Sequence, residues 1–108
     1  GSGLSAIVEY HKLPLMDGVK QYLEKRIVPD ATFRNWNSFS SKISFGKGVN
    51  VMEAFSVLPD PQTNGGLMIA VDPNAINDVK IILEKYNCYS GDPIGRFIGA
   101  AEKVLEII

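Results

Sequence analysis

Between Leu58 and Val71 a polar, turn-forming loop runs straight into an uninterrupted apolar stretch. Asp60-Pro61 and Asn64-Gly65-Gly66 are two turn signals only a few residues apart. Gln62 and Thr63 between them offer hydrogen-bonding groups that a plain connector does not need. The glycine pair lets the backbone take a positive φ or approach another group closely. The chemistry on offer is therefore orientation by hydrogen bonds and close backbone contact. An ordinary turn has the same ingredients, and residue types alone leave both readings open.

The other reactive side chains offer less. His11 lies beside Lys12 with no second ligand-type residue at metal spacing, which suits a surface or turn histidine. Cys88 has no neighbouring lysine, arginine or glycine run to lower its pKa, and reads as an inert, partly buried thiol. Gly46-Lys47-Gly48 lacks the glycine spacing and the Ser or Thr of a Walker loop, so a hairpin-type loop is expected there. Asp60, Asp72, Asp78 and Asp92 are widely spaced, each with a turn or capping explanation, and make neither an acid–base pair nor a Mg²⁺ site. Lys25, Arg26 and Arg34 form the only concentration of positive charge and read by default as a solvated face.

These residues need a scaffold, and 108 residues are enough for a single domain or part of one. Hydrophobic residues at 45% and charged residues at 21% are globular values. A net charge of −1 gives no general attraction to nucleic acid or an anionic membrane. No apolar run approaches the roughly 20 residues that span a bilayer, and no secretory signal pattern opens the chain. One cysteine excludes an internal disulfide and fits a reducing cytoplasm.

Ser5 to Tyr10 reads as a strand and residues 15–26 as an amphipathic helix, with Leu15, Val19, Tyr22, Leu23 and Ile27 on one side. Residues 30–50 are polar and read as irregular, anchored by Phe33, Trp36, Phe39, Ile43 and Phe45. Val51 to Leu58 reads as a short helix, and Leu67 to Val71 as a strand buried on both faces. Asp72 and Pro73 open the best-punctuated helix, with Ile76, Val79, Ile82, Leu83 and Tyr86 as its apolar stripe. Gly91-Asp92-Pro93 reads as a turn, and Ile94 to Ala101 and Lys103 to Ile108 as two last strands, with a hairpin as one arrangement. Alternating strands and amphipathic helices predict an α/β (α+β) fold, a sheet covered by helices.

Asp60-Pro61-Gln62-Thr63-Asn64-Gly65-Gly66-Leu67-Met68 closely resembles the Asp-Pro-Gln-Thr-Ser-Gly-Gly-Leu-Leu signature in the C-terminal half of selenophosphate synthetase (selenide, water dikinase), with Asn64 in place of the usual Ser. Further stretches are similar to that family in the same order. They are Gly1-Ser2-Gly3-Leu4-Ser5-Ala6, Leu13-Pro14-Leu15-Met16-Asp17-Gly18-Val19, Val28-Pro29-Asp30-Ala31-Thr32-Phe33-Arg34-Asn35 and Ile94-Gly95-Arg96-Phe97-Ile98. The resemblance implies a mixed sheet with helices on one face, a partial C-terminal domain of the aminoimidazole ribonucleotide synthetase-like type spanning residues 1–108. It implies a cytoplasmic parent enzyme that makes selenophosphate, AMP and phosphate from ATP, selenide and water with Mg²⁺. The parent's nucleophile, lysine and nucleotide and metal carboxylates lie upstream, so this chain is expected to hold no catalytic residue, cofactor or metal and to be inactive alone. Its partners would be the missing N-terminal half and further copies of itself in a homo-oligomer, through apolar surface left uncovered.

Within that resemblance, Asp60, Gln62, Thr63, Asn64, Gly65 and Gly66 form the loop expected nearest the parent's cleft. Arg34 and Asn35 match the family's Arg-Asn pair and are candidates for contacting an anion, arginine's planar fork being suited to phosphate oxygens. Two alternatives stand beside this: a stand-alone, non-catalytic interaction module, and a fragment of a relative such as aminoimidazole ribonucleotide synthetase or thiamine-monophosphate kinase. Gln62-Thr63 and Thr32-Phe33-Arg34-Asn35 look most like the selenium enzyme.

Overall fold

Strand β1 (Ser5–Val8) forms where Ile7 and Val8 favour it, and takes an inner position in a mixed sheet. Its companions are β2 (Ile43–Phe45), β3 (Gly95–Ile98) and β4 (Leu105–Ile107), in the order β2-β4-β1-β3. β1 runs parallel to β4 and antiparallel to β3, and β2 runs parallel to β4. The expected mixed α/β architecture is present. The computed structural model describes residues 2–62, 64–88 and 91–108. It divides into two units, Gly1–Gln62 with Ile94–Ile108, and Thr63–Pro93.

The last two strands do not form a hairpin. β1 lies between them, and the connection from β3 to β4 passes the start of β1. There the buried Ser5 hydroxyl accepts from the Ala101 backbone N–H at 3.0 Å, and Ala6 N–H donates to the Val104 carbonyl at 2.9 Å. Pairing of these strands is thus decided by a chain segment almost a hundred residues away, which no local turn signal reports.

The register sorts the sheet into two faces, because side chains alternate along each strand. Ile43, Phe45, Leu105, Ile107, Ala6 and Val8 share one face. Ser44, Glu106 and Ile7, with Arg96 beside Ile7, share the other. Helices cover the apolar face. Trp36 of α2 (Asp30–Phe39) stacks at 5.8 Å on Phe45 of β2 and edge-on at 5.0 Å against Phe55 of α3 (Val51–Val57). Phe33 meets Phe55 at 5.7 Å. Among the described residues only Ala54 and Ile107 are buried hydrophobics, so the core is small.

Helix α2 corrects the expectation of irregular structure over 30–50. Its Thr, Asn and Ser residues are weak helix formers, but Asp30 in the first turn complements the helix dipole and the aromatic face supplies packing. Helix α1 is shorter than expected, Val19–Glu24. Gly18 at φ +86° lies outside helical space and marks its start. Arg26 at φ +58° ends it, with Arg26 N–H on the Leu23 carbonyl and Ile27 N–H on the Tyr22 carbonyl. That is the paired bonding of a Schellman motif. In α3, the Asn50 side chain caps the Glu53 N–H at 3.3 Å.

Tyr10, just past β1, donates its hydroxyl to Glu53 at 3.1 Å and so ties the sheet to α3. Partial burial and this bond push the phenol well above its usual value. The raised folded-state pKa means that the stabilisation is complete below the unfolded-state pKa of about 10 and is lost as pH rises beyond it. Tyr10→Phe is expected to cost about 1 kcal/mol at neutral pH and to flatten the alkaline fall in stability seen in urea titrations. An equal alkaline slope in both proteins would remove this assignment.

In the second unit, α4 (Ile76–Lys85) follows a 3-10 turn at Pro73–Ala75 whose Asp72 side chain caps Asn74 N–H at 2.8 Å. It closes on a second Schellman motif with Asn87 at φ +53°. The expected Asp72-Pro73 start is present. The expected buried strand at Leu67–Val71 is not formed: Leu67 is 90% exposed, Met68 78% and Ile69 55%. An apolar run specifies a wish for burial, but a strand also needs ladder partners, and among the described residues this run has none. No described residue of this unit is buried, and Ile82 and Tyr86 of the apolar stripe are also exposed.

Candidate functional site

The signature loop leaves α3 through Leu58, whose N–H bonds the Ala54 carbonyl at 2.9 Å. Pro59 and Pro61 carry no N–H and fix their own φ, which stiffens the departure. Asp60 is half-buried and its N–H reaches the Val57 carbonyl at 3.2 Å. Gln62, Asn64, Gly65 and Gly66 are exposed, and Thr63 lies outside the described residues. Among the described residues a Cβ at Gly66 would meet nothing within 4 Å, and its φ is not left-handed, so neither their crowding nor backbone strain demands glycine there.

The candidate pair Arg34-Asn35 is divided by the structure. Asn35 is half-buried and its Nδ2 donates to the Pro59 carbonyl at 2.9 Å, across 24 residues of sequence. The exposed Arg34 guanidinium has no ion-pair partner among the described residues. Two stretches far apart in the sequence therefore meet at the base of the loop. That meeting was not readable from the residues, since nothing local pairs a helix amide with a distant proline carbonyl.

The remaining reactive groups stay apart from it. His11 and Lys12 lie 3.9 and 2.9 Å from the Glu9 carboxylate, which the Lys12 bond chiefly holds below its usual pKa. Cys88 is exposed rather than partly buried. It follows the Asn87 helix stop. Gly46-Lys47-Gly48 joins β2 to α3 and is not a hairpin loop. Its Gly48 needs the left-handed φ of +92°. Among the described residues no three His, Cys, Asp or Glu side chains are grouped to hold a metal ion. The donor set here does not fit the Mg²⁺ of the resembled enzyme. On the polar sheet face, Ser5, Ser44, Glu102, Lys103 and Glu106 line an open cleft of about 350 Å³ that contains none of the candidate residues. No helix among the described residues is long and apolar enough to cross a membrane.

No protein-family model matches the chain. Curated relatives do. A selenide, water dikinase of Haemophilus influenzae is 42% identical over 79 residues, 73% of this chain and 22% of the relative. One of Escherichia coli K12 is 40% identical over 80 residues, 74% of this chain and 22% of the relative. One of Burkholderia pseudomallei is 33% identical over 104 residues, 96% of this chain and 29% of the relative. A match over 96% of the chain takes in the loop at 60–66 and the Arg34-Asn35 pair. The chain thus spans between a fifth and a third of the length of these relatives, and it belongs, as a C-terminal part, to the selenophosphate synthetase family.

Proposed function

We propose that this chain is a single C-terminal domain portion of a cytoplasmic selenophosphate synthetase, in which it completes the fold and forms one wall of the catalytic cleft. The match to the Burkholderia relative over 104 residues, signature loop included, carries this reading. The loop of residues 60–66 is the surface nearest the cleft, where its amide and hydroxyl side chains suit the orientation of bound groups and the glycines suit close backbone contact. Arg34, exposed and without an ion pair among the described residues, supplies a planar donor for phosphate oxygens. ATP and Mg²⁺ are held by the remaining part of the parent, which is this chain's partner, and further copies associate through uncovered apolar side chains. The chain alone does not turn over ATP and selenide. The stretches that favour the selenium enzyme over aminoimidazole ribonucleotide synthetase are Gln62-Thr63 and Arg34-Asn35.

The test is selenide-dependent AMP formation from ATP. It is measured with the chain alone and with the chain joined to the part of the Haemophilus relative that lies outside the match. Activity in the joined protein and none above blank in the chain alone is expected. Turnover by the chain alone would mean that it carries its own catalytic centre. A folded but inactive joined protein would favour the non-catalytic module.

A further inference from the structure

From the bond between Asn35 Nδ2 and the Pro59 carbonyl we infer that Asn35 is a positioning residue, which sets where the signature loop departs from the sheet-bearing unit. The contact is half-buried and of ordinary length at 2.9 Å. A carbonyl can only accept, so the amide is oriented with its NH₂ group toward Pro59. Among the described residues little else in the hydrogen bonding fixes this point. Proline at 59 and 61 leaves Asp60 N–H as the one donor of residues 59–61, and its bond to the Val57 carbonyl is longer, at 3.2 Å.

Asn35 itself is well held. It sits mid-helix in α2 beside Trp36, whose ring is packed between Phe45 and Phe55. Any shift of the Pro59 carbonyl away from α2 leaves two part-buried polar groups unpaired. The loop is thus referenced to the aromatic cluster, and through Phe45 to the sheet. This assigns the Arg-Asn pair two roles. Asn35 faces the fold and places the loop, whereas Arg34 faces water. The inference stands apart from the enzymatic reading, because it concerns the placement of residues 59–62 and its readouts do not include activity.

The test uses the isotope-labelled 108-residue chain carrying Asn35→Asp, which keeps the shape and removes the donor. Exchange protection of the Asp60 amide is expected to fall about tenfold, with the Asp60 and Gln62 resonances displaced. Amides of β1 and β4 and the emission of Trp36, the single tryptophan, should hold their wild-type values. Below the carboxyl pKa of about 4 the neutral acid can donate again. The displaced resonances should then return toward those of the wild-type chain at the same pH. Asn35→Ala should give the same local pattern with no acid rescue. An unperturbed loop in either folded variant would overturn the assignment. So would a uniform loss of protection through β1 and β4, or unfolding of both variants, since Asn35 would then serve general packing.

Discussion

Gly95→Ala is expected to destabilise the chain by about 3 kcal/mol and to lower its melting temperature by roughly 10–20 °C. In the antiparallel ladder Gly95 lies opposite Val8, and a Cβ built on it runs into the Ile7 carbonyl oxygen, with the Ile7 carbonyl carbon and Val8 Cα at 3.1 Å. All three obstacles are backbone of β1, which is itself bonded to β4 on its other side, so no rotamer change relieves the clash. Either β3 peels away or β1 shifts and disturbs both of its ladders. A typical domain has only about 5–15 kcal/mol to lose. This chain, with Ala54 and Ile107 its only buried hydrophobics among the described residues, belongs at the low end. Gly99→Ala is the control: a Cβ there meets nothing within 4 Å, and the change should stay within about 0.5 kcal/mol. Thermal melts by circular dichroism decide it. Equal melting temperatures for the two variants would mean that the β1–β3 approach is not as close as described.

The same glycine shows what could be read from residues and what could not. Gly95 stood out through its resemblance to a family motif, while its physical reason, a strand at contact distance, required the sheet. Elements with local punctuation were legible: Asp72-Pro73 opens the helical segment that becomes α4, and Val51–Val57 is helical. Helix α2 was not legible, because its polar composition masks a face of Phe33 and Trp36 that has meaning only once Phe45 and Phe55 are opposite. Strand order failed for the same reason, since β1 separates two strands that are neighbours in sequence. At the candidate site the loop and the Arg34-Asn35 pair were both legible. The bond that joins them was not, as it spans 24 residues.

Leu67→Glu combined with Ile82→Lys is expected to weaken self-association of the chain about a hundredfold. In the wild-type chain Leu67, Met68, Ile69, Ile81, Ile82 and Tyr86 are all more than half exposed. Soluble monomers rarely leave so many large apolar side chains uncovered in one short segment. Burying a Leu or Ile side chain is worth about 1.5–3 kcal/mol, and each 1.4 kcal/mol is a tenfold change in affinity. Two such side chains replaced by charges thus remove at least two powers of ten. The net charge of −1 offers no opposing long-range repulsion, and opposite signs in the pair leave it unchanged. Neither position is buried in the chain, so its own fold should tolerate both changes and retain its melting profile at high dilution. Sizing with light scattering over a wide concentration range reads the result. Should the wild-type chain elute as a sharp monomer throughout, the uncovered surface does not drive association between copies. Its burial would then come from contacts other than those between copies.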